Sequence, residues 1–389
     1  MGRRLSIALF CAVMFFFWAS IYVYVPVLNV YAQHLGASLT LVGMVAGAYG
    51  LPQLLTRIPL GVWSDRTGKR KAFVSVGLMG GVLGAIGLVF SPNAWWLFFF
   101  RAVHGVTAST WVNASVLFAS YFPPERATSA MSLVTFFNGL AMVLSAYGGG
   151  LLAERYDWVA PFWASAALAL AALVCMLPVS EEIGIKRNPI SFGHFRSIAG
   201  VPQLVTVSVI GALSQYTIWG TSYGFLPIYA ASLHASKEDL GILTMVMQLP
   251  FALGTLVAAK YAAKFGDRMA VVYAMVLMGL ASGVIPLVHN LPLLDFTQFL
   301  SGLGRGLHYP ILMALTIKSV PQSERATAMG IFQAVYATGM VGGPWLSGVF
   351  SGVMGLENAL YISAGVTLVG AAFALVKLAP AQRVQPIKG

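Results

Sequence analysis

Long apolar stretches separated by short polar connections recur along the whole chain. Stretches of about 20 mostly apolar residues have the length that spans the hydrocarbon core of a bilayer. The pattern predicts an all-α membrane protein with twelve transmembrane helices and both termini on one side. The apolar windows begin near Leu5, Thr40, Ala72, Trp95, Met131, Val159, Pro202, Leu240, Ala270, Leu291, Ala326 and Ala359.

The second half of the chain repeats the first at an offset near 200 residues. The recurring pairs are Trp18/Trp219, Tyr22/Tyr223, Pro26/Pro227, Gly105/Gly306 and the segments 125–128 and 324–327. The repeat predicts two parallel six-helix bundles, residues 1–180 and 201–379, with a cleft between them. Residues 181–200 are expected to form a cytoplasmic linker, and residues 380–389 a cytoplasmic tail.

Positive residues fall mainly on the termini and on alternate connections, with only Arg155 and Lys237 on the others. By the positive-inside rule, both termini are cytoplasmic in a multi-pass protein of the inner (plasma) membrane. The composition, 58% hydrophobic and 9% charged, excludes an ordinary soluble domain. The net charge of +11 then indicates attraction to the lipid bilayer, and no nucleic-acid partner is expected.

The connection after the second span reads GVWSDRTGKRK, residues 61–71. Gly61 lets a neighbouring helix approach, Asp65 can accept hydrogen bonds from a helix N-terminus, and Gly68 allows a tight turn. The simpler interpretation is a positively charged cytoplasmic loop. The Asp-Arg core returns as Asp267-Arg268, without the following glycine and basic run.

On these residues the chain resembles the major facilitator superfamily, whose signature is Gly-x-x-x-Asp-Arg-x-Gly followed by basic residues. The resemblance covers nearly the whole chain. It implies an alternating-access transporter in which this loop latches the cytoplasmic helix ends. The gating residues that it implies are Gly61, Asp65, Arg66, Gly68, Arg70, Asp267, Arg268, Glu125 and Arg126.

Arginine and histidine interrupt the fourth and tenth apolar spans. Arg101 and His104 are three residues apart and share a helical face; Arg305 and His308 repeat the spacing at an offset of 204. Ionisable residues in lipid are expensive unless they face water or a partner, which predicts a functional site. The alternatives are a snorkelling Arg101 and a histidine bonded to a backbone carbonyl. Arg57, near the end of span two, is expected to snorkel.

All twelve carboxylates fall on loops or span ends, so no acidic site for Na⁺ or a cationic drug is expected. Arg101 and Arg305 instead favour an anionic or neutral polar solute, and no metal or cofactor is expected. A bound anion would raise the proton affinity of a nearby histidine. The predicted proton-coupling residues are therefore His104, His308 and Arg101.

The fourth span also resembles one branch of the superfamily. Leu97, Arg101 and Gly105 fit the Leu-x-x-x-Arg-x-x-Gln-Gly pattern of its proton-coupled antiporters, with His104 in place of the glutamine. The fifth-helix Gly-Pro motif of those antiporters is absent from residues 138–150. The pattern favours export, whereas paired arginines would equally serve uptake.

Aromatic and amide residues recur at four-residue spacing in spans one and seven, so each set lines one helix face. In the superfamily these spans and spans four and ten border the central cavity. The alternative is an interfacial aromatic belt, most of all for Tyr22 and Tyr223. The predicted substrate-binding residues are Arg101, Arg305, His308, Trp18, Tyr22, Gln215, Trp219, Tyr223 and Asn113.

These observations predict a monomeric secondary transporter that exports a small organic solute coupled to protons. Uptake or exchange of an organic anion is the alternative activity. A non-transporting receptor or lipid scramblase on the same fold is the alternative from another class. An enzyme is not expected, because the sequence lacks a nucleotide-binding loop, a metal-ligand cluster and a nucleophile with a placed base.

Overall fold

The computed structural model describes residues 3–123, 127–181, 192–321 and 324–378. Within these ranges every regular element is a helix, as the apolar pattern predicts. The first half of the chain contains α1 (Arg3–Tyr22), α2 (Val25–His34), α3 (Leu39–Gly47), α4 (Gly50–Thr67), α5 (Arg70–Val89), α6 (Ala94–Ser109), α7 (Trp111–Ser120), α8 (Ala127–Arg155) and α9 (Ala160–Met176).

A short helix, α10 (Phe192–Ala199), lies in the predicted linker and contacts the second half of the chain. Residues 182–191 of that linker lie outside the described residues. The second half contains α11 (Pro202–Thr217), a π-helical segment (Ile218–Phe225), α12 (Leu226–Ser232), α13 (Lys237–Phe265), α14 (Asp267–Val284), a 3₁₀ turn (Ile285–Leu287), α15 (Leu291–Lys318), α16 (Arg325–Met354) and α17 (Leu356–Lys377).

Seven helical stretches of the described chain are long and apolar enough to cross a bilayer. The other predicted windows fall on α6 with α7, α9, α11, α15 and α16. Several of these helices are too polar or too short to be among the seven. For example, α15 carries Arg305, and α9 has only 17 residues. The seven stretches are Leu5–His34, Leu39–Ser64, Arg70–Val89, Leu133–Arg155, Lys237–Phe265, Asp267–Leu287 and Leu356–Lys377.

The sequence repeat produces matching irregularities in the first long helical stretch of each half. Pro26 lies in the first turn of α2, directly after the break between α1 and α2. Pro227 lies in the first turn of α12, directly after the π-helical segment. Proline has no N–H, so neither residue can donate to the carbonyl four residues earlier, at Tyr22 and Tyr223. Both irregularities therefore lie beside aromatic residues predicted to bind solute.

Glycine permits close contact between the two halves at the end of the molecule opposite the linker. A Cβ atom added to Gly43 of α3 would lie 2.2 Å from the carbonyl oxygen of Pro344 on α16. At the same end the Lys237 N–H, at the start of α13, donates to Glu154 of α8 at 2.9 Å. The halves are therefore in direct backbone contact on this side.

Candidate functional site

Arg101 on α6 is enclosed by two tyrosines that lie at helix breaks of the first half. Its side chain is only 2% exposed, so it does not snorkel to a membrane interface. Nη1 donates to the Tyr24 hydroxyl at 2.5 Å. The guanidinium carbon lies 5.1 Å from the centre of the Tyr24 ring and 4.5 Å from that of Tyr49. Stacking on aromatic faces thus accompanies the hydrogen bond in holding this buried cation.

His104 is fully buried, and its partners fix which ring nitrogen carries the hydrogen. Nε2 lies 3.1 Å from the carbonyl oxygen of Gly81, which can only accept, so Nε2 donates. Nδ1 lies 2.9 Å from the hydroxyl of Tyr24, which accepts from Arg101 and donates to this nitrogen. A single hydrogen-bonded chain therefore runs from Arg101 through Tyr24 and His104 to the backbone of α5.

Arg305 on α15 is also buried, with 9% of its surface exposed, but its hydrogen bonds are long. Nη1 donates to the Tyr223 hydroxyl at 3.4 Å and to Gln248 Oε1 at 3.3 Å. The guanidinium carbon lies 4.3 Å from the centre of the Phe251 ring. Among the described residues, neither Arg305 Nε nor Gln248 Nε2 has a hydrogen-bond partner. The group therefore retains donor capacity for a solute.

His308 lies one turn along α15 and does not share a partner with Arg305. Nδ1 donates to the carbonyl oxygen of Gly304 at 2.8 Å, and Nε2 lies 2.7 Å from the Ser214 hydroxyl. A hydroxyl can donate to the neutral ring or accept from the protonated ring. The environment of His308 therefore accommodates either protonation state without losing a hydrogen bond.

The two arginine sites share one structural element that the repeat explains. Gly105 and Gly306 correspond at an offset of 201. A Cβ atom at Gly105 would lie 2.5 Å from the carbonyl oxygen of Tyr49, and one at Gly306 would lie 2.4 Å from that of Phe251. Each glycine thus brings its helix against the residue whose ring lies beside the arginine of that helix.

Aromatic side chains connect the two halves across the interior. The ring centres of Trp18 and Tyr22 are 6.1 Å apart, and those of Tyr22 and Tyr223 are also 6.1 Å apart. Tyr223 lies 4.8 Å from Trp219, which stacks on Tyr49 at 5.2 Å. All five are buried. The alternative of an interfacial belt is therefore wrong for Tyr22 and Tyr223.

Two predicted amides are buried with an unused polar atom. Gln215 Oε1 on α11 and Asn113 Nδ2 on α7 have no partner among the described residues. A buried polar group without a partner is unfavourable unless something else satisfies it. Both atoms are therefore available to a polar solute or to water, but no described contact links either amide to an arginine.

Sequence reasoning missed two buried residues that join the halves. Asn29 on α2 donates from Nδ2 to the carbonyl oxygens of Tyr223 and Gly224, at 2.6 and 2.7 Å. Pro227 entered the sequence analysis only as the repeat of Pro26, and nothing in the sequence identified Asn29 as a partner of the segment before it. Arg57 on α4 is 8% exposed and bonds to α16. The expectation that Arg57 snorkels is therefore wrong.

The first signature loop forms the tight turn that its glycine predicts. Gly68 ends α4 in the left-handed conformation, with φ of +67°. Arg66 is exposed in the last turn of α4, and Arg70 begins α5. Gly61 faces α7, where an added Cβ would lie 3.9 Å from Val112. The backbone of the segment therefore fits the signature.

The second copy of the loop places its aspartate on the other side of the turn. Asp65 lies within α4, whereas Asp267 begins α14, after Gly266 with φ of +79°. Asp267 accepts from Lys318 Nζ at 3.3 Å, and Arg268 follows in the first turn. The two aspartates match in sequence but not in helix position. The Asp65 side chain, Glu125 and Arg126 lie outside the described residues.

The apolar helices and the charged, aromatic interior are those of a multi-pass membrane protein. The family model of the Major Facilitator Superfamily matches residues 10–209 and 208–389. The chain therefore belongs to the Major Facilitator Superfamily, whose members are transporters and not enzymes. The family expectation drawn from the signature loop is confirmed.

Known relatives and solved structures agree with this assignment. The chain is 26% identical over 365 residues to the multi-drug resistance efflux pump PmrA homolog of Lactococcus lactis, covering 89% of this chain and 88% of that protein. It is 26% identical to the inner membrane transport protein YajR of Escherichia coli, covering 92% and 79%. A bacterial homolog of the human lysosomal transporter Spinster, solved inward-facing and unoccupied, superposes with a TM-score of 0.83 at 16% identity, covering 96% of each chain.

Proposed function

We propose that this transporter crosses the membrane twelve times and moves a small organic solute by alternating access between two six-helix bundles. The bundles are residues 1–180 and 201–379, with the linker 181–200 and the tail 380–389 in the cytoplasm. The protein acts as a monomer in the inner membrane. The twelve apolar windows, the duplication and the positive-inside distribution support this arrangement.

The proposed position of the solute rests on one observation, the environment of Arg305. Its guanidinium is buried, rests on Phe251, and reaches neutral acceptors only at 3.3 Å or more. The buried rings of Tyr22, Trp219 and Tyr223 continue from it into the first half. An anionic or neutral polar solute would exchange these long bonds for shorter, charge-assisted ones. Arg101 adds to the positive electrostatic potential around the solute and does not contact it directly.

Proton coupling is assigned to His308 in preference to His104. The Ser214 hydroxyl can reverse its hydrogen bond when His308 gains a proton. Protonation of His104 would instead place two donors on the Tyr24 hydroxyl, beside the charged Arg101. A second positive charge in that enclosed chain is unfavourable. His308 is therefore the better proton carrier.

The described state is proposed to face the cytoplasm. Backbone contact at Gly43 and the Asn29 bonds hold the halves together on the side opposite the linker. The similar fold of an inward-facing relative supports the same assignment. The loop residues Gly61 to Arg70, with Glu125, Arg126, Asp267 and Arg268, would control closure at the cytoplasmic ends. Asp65 is proposed as the latch residue.

Export is the proposed direction, because relatives of similar length are multidrug efflux pumps. The fourth-span pattern ending in Gly105 also supports a proton-coupled antiporter. Uptake or exchange of an organic anion is the second candidate, favoured by the buried arginines without a described acidic partner.

Transport into proteoliposomes tests the proposal. Purified protein is reconstituted, and the movement of anionic and neutral organic solutes is followed with and without an imposed pH gradient. We expect gradient-driven transport by the wild type and its loss in Arg305→Gln, with the exposed Arg155→Gln as matched control. Gradient-independent movement of labelled phospholipid, with no solute transport, would contradict the proposal and favour a scramblase.

A further inference from the structure

Arg57 is a third buried guanidinium, and its hydrogen bonds span both halves of the chain. Nη1 donates to Gln333 Oε1 at 3.2 Å and to the Tyr336 hydroxyl at 3.0 Å, both on α16. Nη2 donates to Gln53 Oε1 at 2.5 Å, one turn earlier on α4. The residue is only 8% exposed. Arg57 therefore lies between α4 and α16.

The charge of Arg57 is not balanced by these partners. Its described acceptors are two amides and a phenol, all neutral. Nε is buried and has no hydrogen-bond partner among the described residues. A buried cation without a counter-ion is unfavourable, and an unused donor adds to that penalty. One anionic group bound here would balance the charge and accept a hydrogen bond from Nε.

Aromatic rings extend from Arg57 towards Arg305. The guanidinium carbon of Arg57 lies 5.9 Å from the centre of the Tyr336 ring, which lies 6.3 Å from that of Tyr309. Tyr309 is four residues after Arg305 on α15, so the two lie about one helical turn apart. Its ring is half-buried, so part of it is accessible. An aromatic body could therefore lie between the two cations.

We propose that Arg57, with Gln53, Gln333, Tyr309 and Tyr336, forms a subsite for the carboxylate or sulfonate of an aromatic organic anion. The guanidinium offers a planar pair of donors to such a group, which displaces a neutral amide. Because the subsite draws on α4 and α16, a bound anion also connects the two halves. This inference rests on the proposed function and names the class of its solute.

A purely structural clamp between α4 and α16 is the competing explanation. A clamp of this kind requires donors but no charge, and a neutral side chain would avoid the desolvation of a cation. The two explanations differ in one measurable property. The subsite discriminates between ligands by charge, whereas the clamp affects all ligands alike.

Binding of two dyes with the same xanthene frame separates these explanations. Fluorescein is anionic and rhodamine 123 is cationic, and both report binding to the detergent-solubilised full chain by fluorescence anisotropy. We expect saturable fluorescein binding, with rhodamine 123 at least 10-fold weaker. Arg57→Gln should weaken fluorescein binding about 10- to 100-fold, the range for loss of a charge-assisted pair. The fluorescein affinity of Arg57→Lys should lie between those of the wild type and Arg57→Gln. The affinity of Arg155→Gln should equal that of the wild type.

Three results would overturn the subsite: no saturable fluorescein binding by the wild type, tighter binding of rhodamine 123, or unchanged fluorescein affinity in Arg57→Gln. If Arg57→Gln does not fold, the same dye measurement on Gln333→Leu distinguishes the subsite from a clamp. Removing this neutral acceptor should keep or tighten fluorescein binding, whereas equal weakening of both dyes would identify a clamp. Gradient-driven transport by the wild type, measured separately, would leave the proposed function standing in each of these cases.

Discussion

Arg101 and Arg305 begin the same Arg-x-x-His pattern, yet their guanidinium groups are held very differently. Arg101 donates a 2.5 Å bond to Tyr24, whose hydroxyl also bonds His104. Arg305 reaches its acceptors only at 3.3 and 3.4 Å and shares none of them with His308. Arg101 is therefore held by a short bond and Arg305 by long ones, although the Nε atom of each has no hydrogen-bond partner among the described residues.

A single position in the repeat explains much of the difference. Tyr24 corresponds to Phe225 at the offset of 201, and phenylalanine has no hydroxyl to offer. The ring beside each guanidinium is retained, as Tyr49 in one half and Phe251 in the other. The repeat thus retains an aromatic ring beside each cation, while the hydroxyl that bonds Arg101 is missing at the corresponding position of the second half.

The largest effect is expected from removing the charge of Arg305, the more loosely bonded of the two arginines. Arg305→Gln should lower the initial rate of anion transport about 100-fold. Truncating one partner of a buried charged pair costs about 2–5 kcal/mol of binding free energy. Arg305→Lys should retain part of the rate, since lysine keeps the charge but not the planar fork. Initial rates in proteoliposomes measure this. A rate within about threefold of wild type for Arg305→Gln would place the solute elsewhere.

Removing the oxygen that distinguishes the sites should affect stability. Tyr24→Phe leaves a buried guanidinium and a histidine nitrogen without their shared partner, which should lower the free energy of unfolding by about 2–3 kcal/mol. Tyr223→Phe is the matched control, because its bond is 3.4 Å long, and its loss should amount to less than about 1 kcal/mol. Thermal melting in detergent compares the two. Equal destabilisation would contradict the contrast between the sites.

The two histidines should differ in the pH dependence of transport. In the uptake candidate proton and anion favour each other's binding, so wild-type affinity for an anionic solute should rise as pH falls, roughly 10-fold across the titration, whereas a proton-coupled antiporter should show the opposite trend. His308→Gln should leave binding measurable and remove this dependence. His104→Gln should retain it and melt at a lower temperature. Transport and binding between pH 5.5 and 8 test the assignment, and unchanged pH dependence in both variants would end it.

The smallest effect is expected at the surface pair of the second signature loop. Lys318 and Asp267 are 63% and 37% exposed, and their 3.3 Å contact is screened by solvent. Lys318→Ala should therefore change the free energy of unfolding by less than about 1 kcal/mol. Thermal melting at low and high salt measures it. A loss as large as that of Tyr24→Phe would show that surface and buried cations contribute alike.

Local features were predictable from the sequence because they depend on the chain's own spacing. The twelve apolar windows fall on helices, and Gly68 adopts the left-handed turn. The burial of both predicted arginines follows from the penalty for exposing a cation to lipid.

Contacts between distant helices were not predictable in the same way. Arg57, Asn29 and Tyr24 acquire their partners only when helices from different parts of the chain come together. Asp65 and Asp267 match in sequence, but a shift of the turn by a few residues separates their helix positions. The sequence therefore indicates that such a side chain is buried but not which distant residues it contacts.

The central claim is that Arg305 binds the solute in the interior. A structure of the full chain with a transported solute bound tests it most directly. The account predicts an acidic or polar group of the solute within hydrogen-bonding distance of the Arg305 guanidinium, beside Phe251 and Tyr223. A solute bound elsewhere, with Arg305 still bonded to Tyr223 and Gln248, would contradict it.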